Sequence, residues 1–321
     1  MLDRSTIWPY EDAEPGEFYY QRYAHPAGVA AERTLGELEG GLALLYPSGS
    51  AATTSLLLTL LEPGKTIALA DGAYYGTPTL VRALERWGIR LVEFDQTGPP
   101  PDNADLVWIE APSNPLLSMP DFEAAAAHPA PLVCDSTAAT PVYLRPIERG
   151  ADFVLHSATK FLGGHHDVLL GALIAKQRPD YDRLLEFRSR SGIVAAPDAA
   201  WLLSRSLKTL SVRMARHTET ATDLARRLEE HPAVERVRYP GFGGLMSFDV
   251  TGGAEAARRV ETSTRLIKNA TSLGGADSVL ETRARWEGDR VPGNLVRLSV
   301  GLEDVEAIWG DLERALEGRY E

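Results

Sequence analysis

The sequence predicts an α/β protein: a large domain on a mostly parallel sheet covered by helices on both faces, then a smaller C-terminal α+β domain. Three observations predict it. From Gly41 onward, apolar runs of strand length alternate with helical stretches. A long helical segment over about residues 198–229 then breaks that rhythm, and from Ala233 short strands return with two helices among them.

In chain order, residues 1–29 mix aromatics, Pro, Gly and acids without periodicity, as expected of an extended arm lying on another surface. Trp8, Tyr10, Phe18, Tyr19, Tyr20 and Tyr23 are too many aromatics for a free tail; a partner subunit or the chain's own body would cover them. Residues 29–39, VAAERTLGELE, read as a helix. The large domain, 30–208, takes strands at LALLY, TIALA, RLVEF, LVWIE, PLVCD and DFVLHS, with helices at TPTLVRALERWG and DFEAAAAH. Parallel strands buried on both faces carry near-continuous apolar runs of this kind. Within 198–229, Leu202, Leu203, Leu207, Leu210, Met214 and Leu224 recur at helical spacing, and the domain boundary is placed inside that segment. The second domain, 209–321, takes strands at ERVRYP, LMSFDV and LVRLSV and helices at AEAARRVE and DVEAIWGDLERALE. Charged runs such as LEEH and ETRARWEGDR read as solvated faces.

At 321 residues and 44% hydrophobic content the chain can bury a large core. Its net charge of −12 and pI near 5.2 repel nucleic-acid backbones and anionic membranes, so an anion site must be built locally from arginines and helix ends. One cysteine, Cys134, leaves no intramolecular disulfide and no cysteine-based zinc cluster, and points to a reducing compartment, the cytoplasm. No basic start leads into an apolar run, and no window is apolar for the length of a bilayer crossing, so neither export nor a membrane is indicated.

The sharpest local feature is HSATKFLGGHHD, where an apolar strand runs through small hydroxylated residues to Lys160 and a glycine pair. Lysine is scarce in this chain. Burial and a positive field both disfavour an ammonium, which frees the neutral amine as nucleophile or base. A lysine capping a strand end would look the same in sequence. PLVCDSTAATP brings Asp135 to the C-terminal end of a buried strand, where open α/β sheets bind ligands. An aspartate there wants a cation, and a protonated pyridine nitrogen is one; a turn cap before Ser136 and Thr137 is the plainer alternative.

In YPSGSAATT a strand leads through Ser48, Gly49 and Ser50 into a helix, whose first N–H groups and hydroxyls can hold a phosphate. DGAYYGT places Tyr74 and Tyr75 at another strand end, where a tyrosine can stack on a planar ring and move a proton, or fill a loop. Arg297, alone in the apolar LVRLSV, suits a substrate carboxylate. His156, His165, His166 and Asp167 invite a metal, but the adjacent pair does not converge on one ion, and no metal is expected.

Taken together, these segments resemble the cystathionine γ-synthase/γ-lyase family of cysteine and methionine metabolism, over about residues 20–316. The resemblance implies an aspartate-aminotransferase-like fold with a seven-stranded type of large sheet, pyridoxal 5'-phosphate as cofactor, an amino-acid substrate, and a homodimer or homotetramer with shared active sites. Residue by residue it implies Lys160 as the Schiff-base lysine and Asp135 as the pyridinium partner. Ser48, Gly49, Ser50, Ser157 and Thr159 fall at the phosphate, with Thr137 beside Asp135. Tyr74 would stack on the ring, and Glu110 and Asn114 would be the family's acid and its cofactor-contacting asparagine. Ser272 and Arg297 would hold the substrate, while Tyr20 and Arg22 would reach a neighbouring subunit's cofactor phosphate.

There are departures. Tyr75 stands where the family commonly has glycine, Ala24 and His25 replace Gly-Asn, and ETRARWEGDR replaces a histidine- and methionine-containing stretch near the substrate entrance. Gly76 stands where methionine γ-lyases carry a reactive cysteine. Three readings follow: a γ-lyase in which Lys160 moves the Cα proton and Tyr74 serves the γ-position, a γ-replacement transferase on the same residues, and a cofactor-binding homologue with little turnover.

Overall fold

The computed structural model describes residues 2–318. Its larger sheet has seven strands: β1 (Leu42–Tyr46), β2 (Thr66–Ala70), β3 (Arg90–Phe94), β4 (Leu106–Glu110), β5 (Leu132–Asp135), β6 (Phe153–His156) and β7 (Gly171–Ala175), in the spatial order β1-β7-β6-β5-β4-β2-β3. Every pairing is parallel except the two that β7 makes, which are antiparallel. β7 follows β6 without a helix between them. A parallel neighbour needs a helical crossover, and the connection that carries Lys160 supplies none. The strands β2, β4, β5 and β7 are buried at every position, as their uninterrupted apolar runs require.

The smaller sheet joins β8 (Val234–Arg238), β9 (Leu245–Val250), β10 (Lys268–Asn269), β11 (Val279–Thr282) and β12 (Leu295–Ser299) in the order β10-β11-β12-β9-β8. Helices Gly253–Ser263 and Val305–Leu316 close its core around Phe248, Leu280 and Leu298.

The segment expected as one long helix is two, Pro197–Leu207 and Leu210–Glu229, parted at Lys208 and Thr209. Apolar residues keep a helical period across the break, so the pattern conceals it. β7, β11 and the helix Arg178–Ser191 were not read from the sequence. That helix has a mean composition too charged to show an apolar stripe; the Arg178–Asp182 and Arg190–Glu186 pairs lie along it, and Arg188 is buried against Glu32 at 2.5 Å.

The N-terminal arm folds back on itself through an Ile7–Tyr20 bridge and a Trp8–Phe18 ring contact at 5.8 Å. It is tied to its own chain by Arg4 on Asp198 and by Arg22 Nη1 donating to the Ser189 carbonyl at 2.5 Å. Helix α1 (Pro26–Glu39) follows, with His25 accepting from the Gly28 N–H as its N-cap.

Candidate active site

Strands β1, β2, β4, β5 and β6 end on the same edge of the large sheet, and the turns after them, with Ser272, Arg283 and Arg297 of the second domain, line one cavity of about 490 Å³. It is the crevice at the carboxyl ends of the strands in which open α/β sheets bind ligands. Ser48, Gly49, Ser50, Tyr74, Asn114, Asp135, Thr137, Ser157, Thr159, Lys160, Ser272 and Arg297 all line it, so the fold assembles twelve residues that the sequence scatters over 250 positions. Tyr20 and Arg22 do not reach this cavity. Tyr20 lies 41% exposed on the arm, and Arg22 stacks over Tyr23 at 4.6 Å.

Lys160 Nζ donates to Ser272 Oγ at 2.6 Å. Burial, aided by the cationic Arg297 and Arg283 against the opposing field of Glu281, brings its pKa down to about 8. Ser272 itself has φ of +83°, a left-handed backbone that costs a non-glycine residue about 1–3 kcal/mol, and it is pinned by Lys160 at its hydroxyl and Arg297 Nη2 at its carbonyl, 2.7 Å away. Arg297 also donates to Asn114 Oδ1 at 3.1 Å and to Glu281 Oε1 at 2.6 Å. Its burial brings its pKa down to about 10.

Asp135 accepts from the Thr137 N–H at 3.0 Å and from Thr137 Oγ1 at 2.5 Å, and Thr137 Oγ1 in turn accepts from the Ser157 N–H at 2.8 Å. Burial pushes the Asp135 carboxyl up against the pull of those bonds, and among the described residues no cationic side chain pairs with it. Beside it Glu110 is pushed well up, first by burial and then by Asp135; its Oε2 accepts from the Tyr74 N–H at 2.6 Å. Tyr74 is pushed up to about 12 by burial and by hydrogen bonding with Tyr75.

Helix α2 (Gly49–Leu60) starts at the cavity with Ser48 as its N-cap, whose Oγ accepts from the Ala51 N–H at 3.0 Å and keeps its own proton for a ligand. At Gly49 an added Cβ would lie 3.1 Å from the Ser157 Cβ, so the cradle is closed to a side chain there. Thr159 is less free than expected. Its hydroxyl donates to the Leu170 carbonyl and accepts from the Leu170 N–H, both at 3.1 Å.

One expectation is corrected. ETRARWEGDR is a solvated face only in part: Arg285, Trp286 and residues 288–290 are exposed, but Glu281 and Thr282 end β11, and Glu281, Arg283 and Glu287 are 4%, 2% and 7% exposed. Arg283 donates to Glu281 Oε1 at 2.7 Å and to Glu287 Oε1 at 2.8 Å, which leaves Glu281 bridging two buried guanidinium groups. The signal was the register, since Glu281 sits directly opposite Arg297 across β11 and β12 and Arg283 follows two residues on, which places the two on one side of the strand line. A second buried pair, His156 Nε2 with Glu39 Oε1 at 2.5 Å, also escaped notice. His165 bonds the Gly163 carbonyl, and no group of three or more metal-ligating side chains forms among the described residues.

A lysine lowered to about 8, an unpaired buried carboxylate and a helix start with free donors, all on one cavity, make a site for a phosphorylated pyridine aldehyde. The family model for Cys/Met metabolism PLP-dependent enzymes matches residues 4–317.

The chain belongs to that family.

Pyridoxal 5'-phosphate is its cofactor, and it is an enzyme. Among its relatives, the cystathionine γ-synthase of Mycobacterium tuberculosis is 38% identical over 94% of this chain and 87% of the relative. The L-methionine γ-lyase of Pseudomonas putida is 34% identical over 94% and 86%. Among solved structures, cystathionine γ-synthase of Xanthomonas oryzae in complex with cystathionine superposes with a TM-score of 0.94 at 31% identity, covering 99% of this chain and 92% of that one. The cystathionine γ-lyase of Micromonospora echinospora gives 0.93 at 33% identity, over 99% and 93%. The residues present fit the family's cofactor: lining one cavity, Asp135 would hold the pyridine nitrogen, Ser48 to Ser50 and Ser157 the phosphate, and Lys160 the aldehyde carbon.

Proposed function

We propose that this enzyme removes the γ-substituent of a sulfur-containing or related γ-substituted amino acid, as a cystathionine γ-lyase does, with water consumed and a keto acid, ammonia and a thiol released. The observation that carries the reading is the shared hold on Ser272. Lys160 donates to its hydroxyl and Arg297 to its carbonyl, which sets a proton-moving amine and a carboxylate-binding fork at one residue. When bound, the cofactor supplies an electron sink for the Cα carbanion.

In this reading the chain's own groups divide the work. The planar fork of Arg297, steadied by Asn114 and Glu281, receives the α-carboxylate. Lys160 takes the proton from Cα and delivers one further along the chain. Tyr74, which lines the same cavity, serves the γ-position, where its high pKa keeps a proton ready for the departing group. Asp135 holds positive charge on the pyridine nitrogen.

The name of the mycobacterial relative favours a second reading, γ-replacement, in which a thiol takes the place of the departing γ-substituent, as a cystathionine γ-synthase or an O-acyl-homoserine sulfhydrylase would have it. Purified enzyme with cystathionine alone should release keto acid and cysteine. Formation of a thioether from O-succinylhomoserine and cysteine, with no keto acid from cystathionine, assigns it to replacement instead, and a bound chromophore with neither reaction overturns both.

The arm belongs to the same proposal. Tyr20 and Arg22 lie outside their own cavity, and in a homodimer or homotetramer with shared sites they would reach the partner's cofactor phosphate. Arg22→Ala should release the cofactor about tenfold more readily, read from the loss of the visible band on dialysis, while the circular dichroism of the fold stays constant. Unchanged retention would remove Arg22 from the site. We place the enzyme in the cytoplasm, on its one buried thiol, Cys134.

A further inference from the structure

We propose that Tyr75 is a positioning residue for Tyr74, held in place by a brace that the C-terminal domain extends to the large domain. The inference rests on the reading of Tyr74 as the group that serves the γ-position.

Tyr74 has little of its own to hold it. Its main chain is fixed by the bond to Glu110, but the ring is 38% exposed and lies over Gly76, where an added Cβ would come within 2.4 Å of its Cε1. Its one aromatic neighbour among the described residues is Tyr75, edge-on with centroids 4.8 Å apart at 62°. Tyr75 is fixed in turn from the other side. Trp286 stacks on it at 6.4 Å and 18°, and the Arg283 guanidinium lies 5.7 Å from its ring centroid. Arg283 is immobile because Glu281 and Glu287 hold both of its terminal nitrogens in a buried setting.

The same segment grips the start of the Tyr74 loop. Arg290 donates to the Asp71 carbonyl and pairs with Glu93 on β3 at 3.0 Å. Residues 283–290 thus clasp loop 71–76 at both ends, from Asp71 to Tyr75. The structure puts Tyr75 against the 283–290 segment, although the two are about two hundred positions apart in the chain. Without Trp286 and Arg283 to receive it, the Tyr75 ring would be loose.

A positioning role differs from general support in its coupling to Tyr74, so the test is a double-mutant cycle on cofactor-loaded enzyme, with L-cystathionine as substrate and keto acid as product. Tyr75→Gly should lower kcat by about 10–100-fold with KM within about threefold, since a displaced catalytic group costs rate before it costs binding. Tyr75→Phe keeps the ring and gives up only the hydroxyl that hydrogen-bonds Tyr74, so it should lose much less than Tyr75→Gly, about threefold. In a Tyr74→Phe background, Tyr75→Gly should cost almost nothing more. An equal loss in both backgrounds assigns Tyr75 to general structure and overturns the proposal.

The second measurement does not depend on turnover: the visible circular dichroism of the bound cofactor, which reports the ring stacked on it. It should change in Tyr75→Gly and Trp286→Ala and persist in Tyr75→Phe; an unchanged band in all three overturns the proposal. Wild-type enzyme that holds the cofactor but does not cleave cystathionine fails the lyase reading alone, and the dichroism then decides Tyr75.

Discussion

Lys160→Ala is expected to abolish turnover and to leave a protein that folds normally. Two losses combine in that one substitution. The amine that forms the covalent link to the cofactor disappears, so added pyridoxal phosphate should bind without the spectral shift of imine formation. The group that moves the Cα proton also disappears, and a positioned general base is worth about 10²–10⁴-fold in rate. Keto-acid release in Lys160→Ala within tenfold of wild type would sink the assignment. The pH dependence of cofactor loading tests the same residue. Attack on the aldehyde needs the neutral amine, and burial with Arg297 and Arg283 sets that amine's pKa to about 8. The loading rate of apoenzyme should therefore climb about tenfold per pH unit below 8 and flatten above it. Glu281 alone among the charges acting on Lys160 favours the ammonium, so Glu281→Gln should move the midpoint down. A midpoint near 10, as for a lysine in water, would show that the amine is not buried as described.

Asp135→Asn should keep the cofactor and lose about 10²–10³-fold in kcat, the scale on which removal of one preorganised charge partner acts. Thr137 fixes the carboxylate with two bonds, and the amide keeps the shape of that contact while discarding the charge. A neutral partner no longer favours a protonated pyridine nitrogen, which weakens the electron sink without emptying the site. Glu110, whose carboxyl is raised first by burial and then by Asp135, should ionise more readily in this variant. Wild-type kcat in Asp135→Asn would mean that the ring nitrogen lies elsewhere.

Both predictions concern residues that could be named before the fold was known. The strand runs TIALA, LVWIE, LVCD and FVLH are apolar but for the residues at their ends because both faces of the sheet are covered, and composition alone shows it. The site motifs sit just after those runs, because strand ends on one edge are where a parallel sheet can present side chains. Local patterning therefore determined the large domain's elements and the ends that carry chemistry, and the motifs' resemblance to a known family pointed to the family that the match over residues 4–317 shows.

Tertiary structure decided the rest. The antiparallel placing of β7 follows from which neighbour completes the sheet, and the break at Lys208 lies in a segment whose apolar period runs through it unchanged. Glu281, Arg283 and Glu287 look like a solvated charge run because charge usually is solvated; they are buried only because each finds an opposite charge within 2.8 Å, two of those partners on the run itself and the third across the sheet on Arg297. Likewise Tyr75 and Trp286 lie 211 positions apart in the numbering, and no local pattern relates them. A sequence records which groups can pair, and the chain's long-range packing chooses which of them meet.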